Sequence, residues 1–188
     1  MNSLWDARYV VVDVETSGHD PQRHRIIEIA CVVVEYGATT QRFSSLVRCD
    51  VAPPPSIVRL TGITPEMLAQ APPEAEVMAR VASLLRVKGS IFVAHNAAFD
   101  WRFVRAALER NGYPRLHLPR LCTLRLAQQL GIPAPRGLAH LSDRFGLGLT
   151  RHHRAESDAE ATAELLKALL RLALQRGIAS HRELLRWR

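Results

Sequence analysis

Residues 8–30, RYVVVDVETSGHDPQRHRIIEIA, decide how this chain is read. A run of valines breaks off into Asp13-Val14-Glu15-Thr16 and then turns at Ser17-Gly18. If residues 9–15 form a strand, its period of two puts Asp13 and Glu15 on one face, so two carboxylates project side by side. Such carboxylates repel. They are stable there when a cation lies between them or when one takes a proton, and oxygen ligands of this kind suit Mg²⁺ or Mn²⁺. What matters in the rest of the chain is which acidic residues a fold can bring to the same strand end.

Outward from that stretch, residues 26–36 (IIEIACVVVEY) read as a long, largely buried strand ended by Gly37, and residues 39–47 as a third strand. So short a polar turn makes the pair antiparallel and the start of the chain a three-strand meander. Residues 51–73 hold six of the eleven prolines and read as a surface loop with one short turn of helix, capped by Thr64 and opened by Pro65. A helix follows Pro72-Pro73, with Val77, Val81, Leu84, Leu85 and Lys88 at helical spacing until Gly89.

Residues 90–94 (SIFVA) are a short strand, followed at once by HNAAFD and a helix patterned on Phe99, Phe103 and Ala107, with Asn96 as N-cap and Asn111-Gly112 as its stop. Asp100 then lies in the first turn of a helix leaving a strand, where α/β proteins commonly place ligands. Residues 116–122 read as a short edge strand, and residues 123–130 and 137–145 as helices. A polar loop, Thr150-Arg151-His152-His153-Arg154, precedes a long helix over residues 155–175 with Ala161, Leu165, Ala168 and Leu172 as its core stripe. Asp158 shares the side of Thr162 and Leu165. A carboxylate facing the core needs a partner, and Arg151 and Arg154 are the nearest cations.

With 188 residues, 47% of them hydrophobic and 23% charged, the chain fits one domain, residues 1–188, with a sizeable core. A formal charge of +7 favours a polyanionic partner such as nucleic acid, although a basic surface is also compatible with solubility alone. Cys31, Cys49 and Cys122 are widely spaced and contain no CxxC pair, which points to a reducing cytoplasm rather than a disulfide framework or a zinc site. The most apolar run, residues 26–34, is too short to span a bilayer and is interrupted by Glu28, so no membrane association is expected.

Each acidic residue alone has a structural explanation: a solvated strand end for Asp13 and Glu15, a helix N-terminus for Asp100, an ion pair for Asp158. Together they make a four-carboxylate cluster. His153, five residues before Asp158, is the candidate base, with His152 its rival by adjacency. Arg154 is a candidate phosphate contact, His95 a strand-end histidine, and Glu28 a hydrogen-bonded structural carboxylate.

On VVDVETSG with RIIEIA, HNAAFD and HRAESDA, in that order, the chain resembles the DEDDh branch of the DEDD 3′–5′ exonucleases. That family includes the proofreading subunit of the bacterial replicative polymerase, ribonuclease T and oligoribonuclease, and the match runs over about residues 9–170. The resemblance implies an α/β, ribonuclease-H-like fold: a mixed five-stranded sheet, its first three strands antiparallel, flanked by helices. It makes Asp13, Glu15, Asp100 and Asp158 ligands of two divalent ions, Mg²⁺ or Mn²⁺, and His153 the general base. The sister branch carries a tyrosine four residues before the last aspartate, where this chain has Arg154. Thr16 is placed at the 3′ end, and Leu60 and Thr61, within SIVRLTGITPEML, near the terminal nucleotide. Asn96 is read as a cap first and a substrate contact second. The expected reaction is removal of nucleoside 5′-monophosphates from a DNA 3′ end in proofreading or repair. RNA trimming is the alternative within the family, and a non-catalytic nucleic-acid-binding adaptor the alternative outside it. A polymerase partner is compatible with the pattern, but the sequence ends at Trp187-Arg188 with no polymerase-binding tail of the proofreading type.

Overall fold

The computed structural model describes residues 3–148 and 153–186; Thr150, Arg151, His152 and the final Trp187-Arg188, singled out in the sequence, lie outside the described residues. Strands β1 (Arg8–Thr16), β2 (Ile26–Glu35), β3 (Ala38–Leu46), β4 (Ser90–Ala94) and β5 (Arg120–Cys122) form one mixed sheet in the order β3-β2-β1-β4-β5. β1, β2 and β3 pair antiparallel, whereas β4 runs parallel to β1 and β5 parallel to β4. The β2–β3 hairpin closes on Tyr36 and Gly37 with φ of 53° and 77°, the left-handed pair whose twist matches that of the flanking strands.

The helices are α1 (Pro55–Thr61), α2 (Pro65–Ala69), α3 (Glu74–Leu85), α4 (Ala97–Arg110), α5 (Thr123–Gln129), α6 (Leu138–Phe145), α7 (Ala155–Gln175) and α8 (His181–Arg186). They cover both faces of the sheet, and the strand period assigns each residue to a layer. Tyr9, Val11, Ala30, Val32, Val34, Ile91 and Val93 pack with Leu165, Leu166, Leu169 and Leu170 of α7 and with Leu126 and Leu141. Val10, Val12, Val14, Ile29, Cys31, Val33, Phe92 and Ala94 face the opposite layer, Val77, Val81 and Leu85 of α3 and Phe103, Val104 and Ala107 of α4. Full burial of one such aliphatic side chain contributes about 1.5–3 kcal/mol, which is why β1 and β2 read as almost continuous apolar runs.

Four expectations are corrected. The proline-rich segment holds two helices, not one turn, because Pro55 occupies a first-turn position whose N–H needs no partner and Gly62, at φ 73°, ends the helix by donating to Val58. Helix α8 escaped the periodicity reading because it is only six residues long. Its reciprocal cap is nevertheless written in Ser180-His181-Arg182-Glu183: the Ser180 N–H donates to Glu183 (3.1 Å) and the Glu183 N–H to Ser180 Oγ (3.2 Å). Asn96 does not cap α4 through its side chain; it sits at φ 72°, ψ 48°, the left-handed conformation that asparagine tolerates, and turns the chain from β4 into the helix. The edge strand keeps only Arg120–Cys122, while Leu116 and Leu118 pack against the α3–α4 layer instead of pairing.

At the site end of β1 the sheet is irregular. Glu15 pairs with Glu28 and Thr16 with Ile26, so β2 carries one extra residue, Ile27, which packs against Ile63 and Leu68 and so docks the α1–α2 segment there.

Candidate active site

Asp13 and Glu15 continue the face of β1 that begins with Tyr9 and Val11, so they project toward α7. Asp158 lies in the first turn of α7 and is 8% exposed. A ring nitrogen of His153 and carboxylate oxygens of Glu15 and Asp158 all lie within 4.8 Å of one another. The Asp158 carboxylate also accepts the His153 backbone N–H at 3.0 Å.

Asp100 arrives from the other layer. β4 pairs with β1 only from Arg8 to Val11, so no strand lies beside the last residues of β1 on that side. The Asp100 carboxylate, 4% exposed, takes the Val14 N–H there at 3.3 Å. A carboxylate thus crosses from the helix layer to the strand end because a backbone donor would otherwise have no partner.

Burial raises the pKa of three of these groups, and repulsion adds to it at Asp13 and Glu15. Burial first, and then Asp100, Asp158, Glu15 and Glu28, push Asp13 well above the usual carboxylate range. Glu15 is pushed up to about 8 by burial and by Asp158, Glu28 and Asp100, with Arg154 opposing. Burial lifts Asp100 to about 7, opposed by the hydrogen bonds from its own backbone and from Val14. Asp13, Glu15 and Asp100 therefore resist ionisation, and their acceptor-only oxygens, gathered with those of Asp158, fit a hard divalent cation.

The other sequence-predicted residues divide. Glu28 is structural: its carboxylate, 2% exposed as a residue, accepts Arg154 Nε (3.1 Å to both oxygens), Arg154 Nη2 (2.7 Å) and the Ala155 N–H (2.9 Å). Arg154 is therefore the partner of Glu28 and not of Asp158. His95 is also structural, its ring set between Thr123 Oγ1 (2.9 Å) and the Arg136 carbonyl (3.1 Å), and burial lowers its pKa. Thr16 Oγ1 donates to Gly18 O (2.7 Å) within the turn. Thr61 is buried, its hydroxyl donating to Ile57 O and accepting from Ile63 N, whereas Leu60 is 49% exposed and Asn96 is exposed.

One strip beside Asp100 was not anticipated. The Arg102 guanidinium lies 4.8 Å from the centre of the Phe99 ring and 5.7 Å from that of Phe103, and His19 meets Phe99 edge-on at 6.4 Å. The i, i+3 spacing of Phe99 and Arg102 was its only local signal; His19 comes from the distant turn after β1.

A family model described as exonuclease (RNase_T) matches residues 10–166. The PolC-type DNA polymerase III of Staphylococcus aureus is 36% identical over 182 residues, which cover 96% of this chain and 12% of that protein. Among solved structures, exonuclease X in complex with 5′ overhanging duplex DNA superposes with a TM-score of 0.67 at 28% identity, covering 90% of this chain and 92% of that one. A zinc-ion-bound complex of E. coli exonuclease I with single-stranded DNA superposes with a TM-score of 0.78 at 26% identity, covering 91% of this chain and 41% of that one.

Proposed function

The chain belongs to the RNase_T exonuclease family, and from that premise we propose that it is a metal-dependent 3′–5′ exonuclease that releases nucleoside 5′-monophosphates from DNA. The observation that carries this reading is the meeting of Glu15, His153 and Asp158 within 4.8 Å, with Asp13 and Asp100 adding their charge to the same strand end.

Asp13, Glu15, Asp100 and Asp158 are the residues that would hold two divalent ions, Mg²⁺ or Mn²⁺. Bound there, such ions would lower the pKa of a water and stabilise charge on the scissile phosphate and the leaving 3′ oxygen. His153 takes the proton of the attacking water on a ring nitrogen as the water oxygen bonds to phosphorus and the bond to the 3′ oxygen breaks. Thr16, Leu60, Thr61 and Asn96 are assigned to the surroundings of the terminal nucleotide, Thr61 through the shape of α1 rather than through its hydroxyl, which is already bonded twice within the chain.

DNA is preferred over RNA because the two solved relatives were captured with DNA. The likeness to a PolC-type polymerase favours work beside a polymerase, as in proofreading, and the three free thiols accord with a cytoplasmic setting. Half-buried Phe99 and exposed Arg102 offer the ring and cation that single strands use for stacking and charge, on a base formed by buried Phe103.

The test is a product ladder from 5′-labelled single-stranded DNA, mispaired duplex DNA and short RNA with Mg²⁺ or Mn²⁺. Progressive shortening of the DNA substrates with release of mononucleotides is expected. Purified protein that binds DNA but releases no mononucleotide would make it a binding adaptor instead.

A further inference from the structure

Three consecutive residues at the mouth of the site, His153, Arg154 and Ala155, are each tied down by a carboxylate, and two of those ties lead to the same one. The His153 N–H is held by Asp158, while Arg154 and the Ala155 N–H are held by Glu28. His153 itself has φ 61°, a conformation uncommon for a residue with a side chain, which persists when the surroundings over-determine it.

Glu28 is well placed for this. It lies directly opposite Glu15 across the β1–β2 ladder and, two residues before Ala30, shares the sheet face that packs on α7. From there it spans to the first residue of α7 and the residue before it. The guanidinium forks over both carboxylate oxygens, a geometry that fixes orientation as well as distance. The same pairing sets the Arg154 charge against that of Glu28 beside Glu15.

We propose that Glu28 and Arg154 are a positioning pair that anchors the backbone of His153, so that its imidazole is presented at the Glu15–Asp158 carboxylates. Neither residue touches the reacting atoms; both act through the placement of His153. The inference rests on His153 being the base of the reaction proposed above, and its test is chosen to stand apart from that assignment.

The experiment measures amide hydrogen exchange of His153 and Ala155 by NMR, and kcat and KM on single-stranded DNA with Mn²⁺, in the wild type, Glu28→Gln, Arg154→Ala and Arg154→Lys. Exchange at both amides should accelerate at least about tenfold in Glu28→Gln and Arg154→Ala. In the same variants kcat should fall about 10–100-fold with KM within about threefold, Arg154→Lys should recover part of the loss, and the double variant should be no slower than the poorer single one, as for residues that act as a unit. Wild-type exchange at His153 in both variants, or a rise in KM at constant kcat, would overturn the proposal. If Glu28→Gln does not fold, Arg154→Ala, on the partly exposed side of the pair, carries the same test. A wild-type protein without nuclease activity would refute the proposed function and leave the exchange experiment to decide the anchoring.

Discussion

At the residue scale the proposed chemistry rests on five side chains from three separate parts of the chain. His153→Ala should leave metal and DNA binding nearly unchanged while slowing hydrolysis by about 10²–10⁴-fold, the usual cost of losing a general base. Single-turnover rates beside binding isotherms check this, and near wild-type turnover would remove His153 from the role. The raised carboxyl groups predict a pH dependence of definite sign. Glu15 at about 8 and Asp100 at about 7 hold protons in the folded, metal-free protein that the unfolded chain has already released, so stability falls as pH rises between about pH 4 and pH 8. Divalent ions displace those protons, so the gain in Tm on adding Mg²⁺ should widen as pH rises through the same window. Glu15→Gln should flatten the metal-free slope, and an unchanged slope in that variant would show that the charge lies elsewhere. The acidic residues were legible one by one, because strand period and helix position place each side chain. The partner of Arg154 was not, since 126 residues separate it from Glu28.

At the scale of elements, the site depends on where β1 stops and how the chain leaves it. Gly18 follows the last residues of the strand, and its carbonyl accepts the Thr16 hydroxyl. A Cβ added at Gly18 would collide with the His24 imidazole, which folds back over the turn. Gly18→Ala would push that ring off the Asp20 N–H that holds it, so it should cost about 1 kcal/mol, the usual net worth of one hydrogen bond, and lower Tm by about 2–4 °C. Thermal melts followed by circular dichroism measure it, and a melt identical to wild type would mean that the imidazole moves freely aside. Long elements were readable from their periods: α7 appears with the predicted bounds, and β1 and β2 within a residue or two. Short ones were legible only where a cap or a proline marked them: α2 was read from Thr64 and Pro65 and β5 with bounds too long, whereas α1 and α8 are too brief to show a period.

At the scale of the whole molecule, a charge of +7 and the cation–aromatic strip beside Asp100 suit a long polyanion. Affinity for a single-stranded oligonucleotide should fall log-linearly with salt, with a slope of about −0.7 per phosphate neutralised. Arg102→Ala should weaken binding and make the slope shallower by about one such contact. A salt-independent affinity would count against backbone recognition. No helix among the described residues is long and apolar enough to cross a membrane. The sequence by itself determined the three-strand meander through local periodicity and, through the family resemblance carried by its three motifs, the class of fold and the set of acidic residues. Only the tertiary structure decided that Asp100 reaches the strand end through the Val14 N–H, that Arg154 belongs to Glu28, and that Asn96 turns the chain without capping it. Each of these depends on which backbone donor or buried charge lacks a partner once the layers have packed, and that is a property of distant segments brought together.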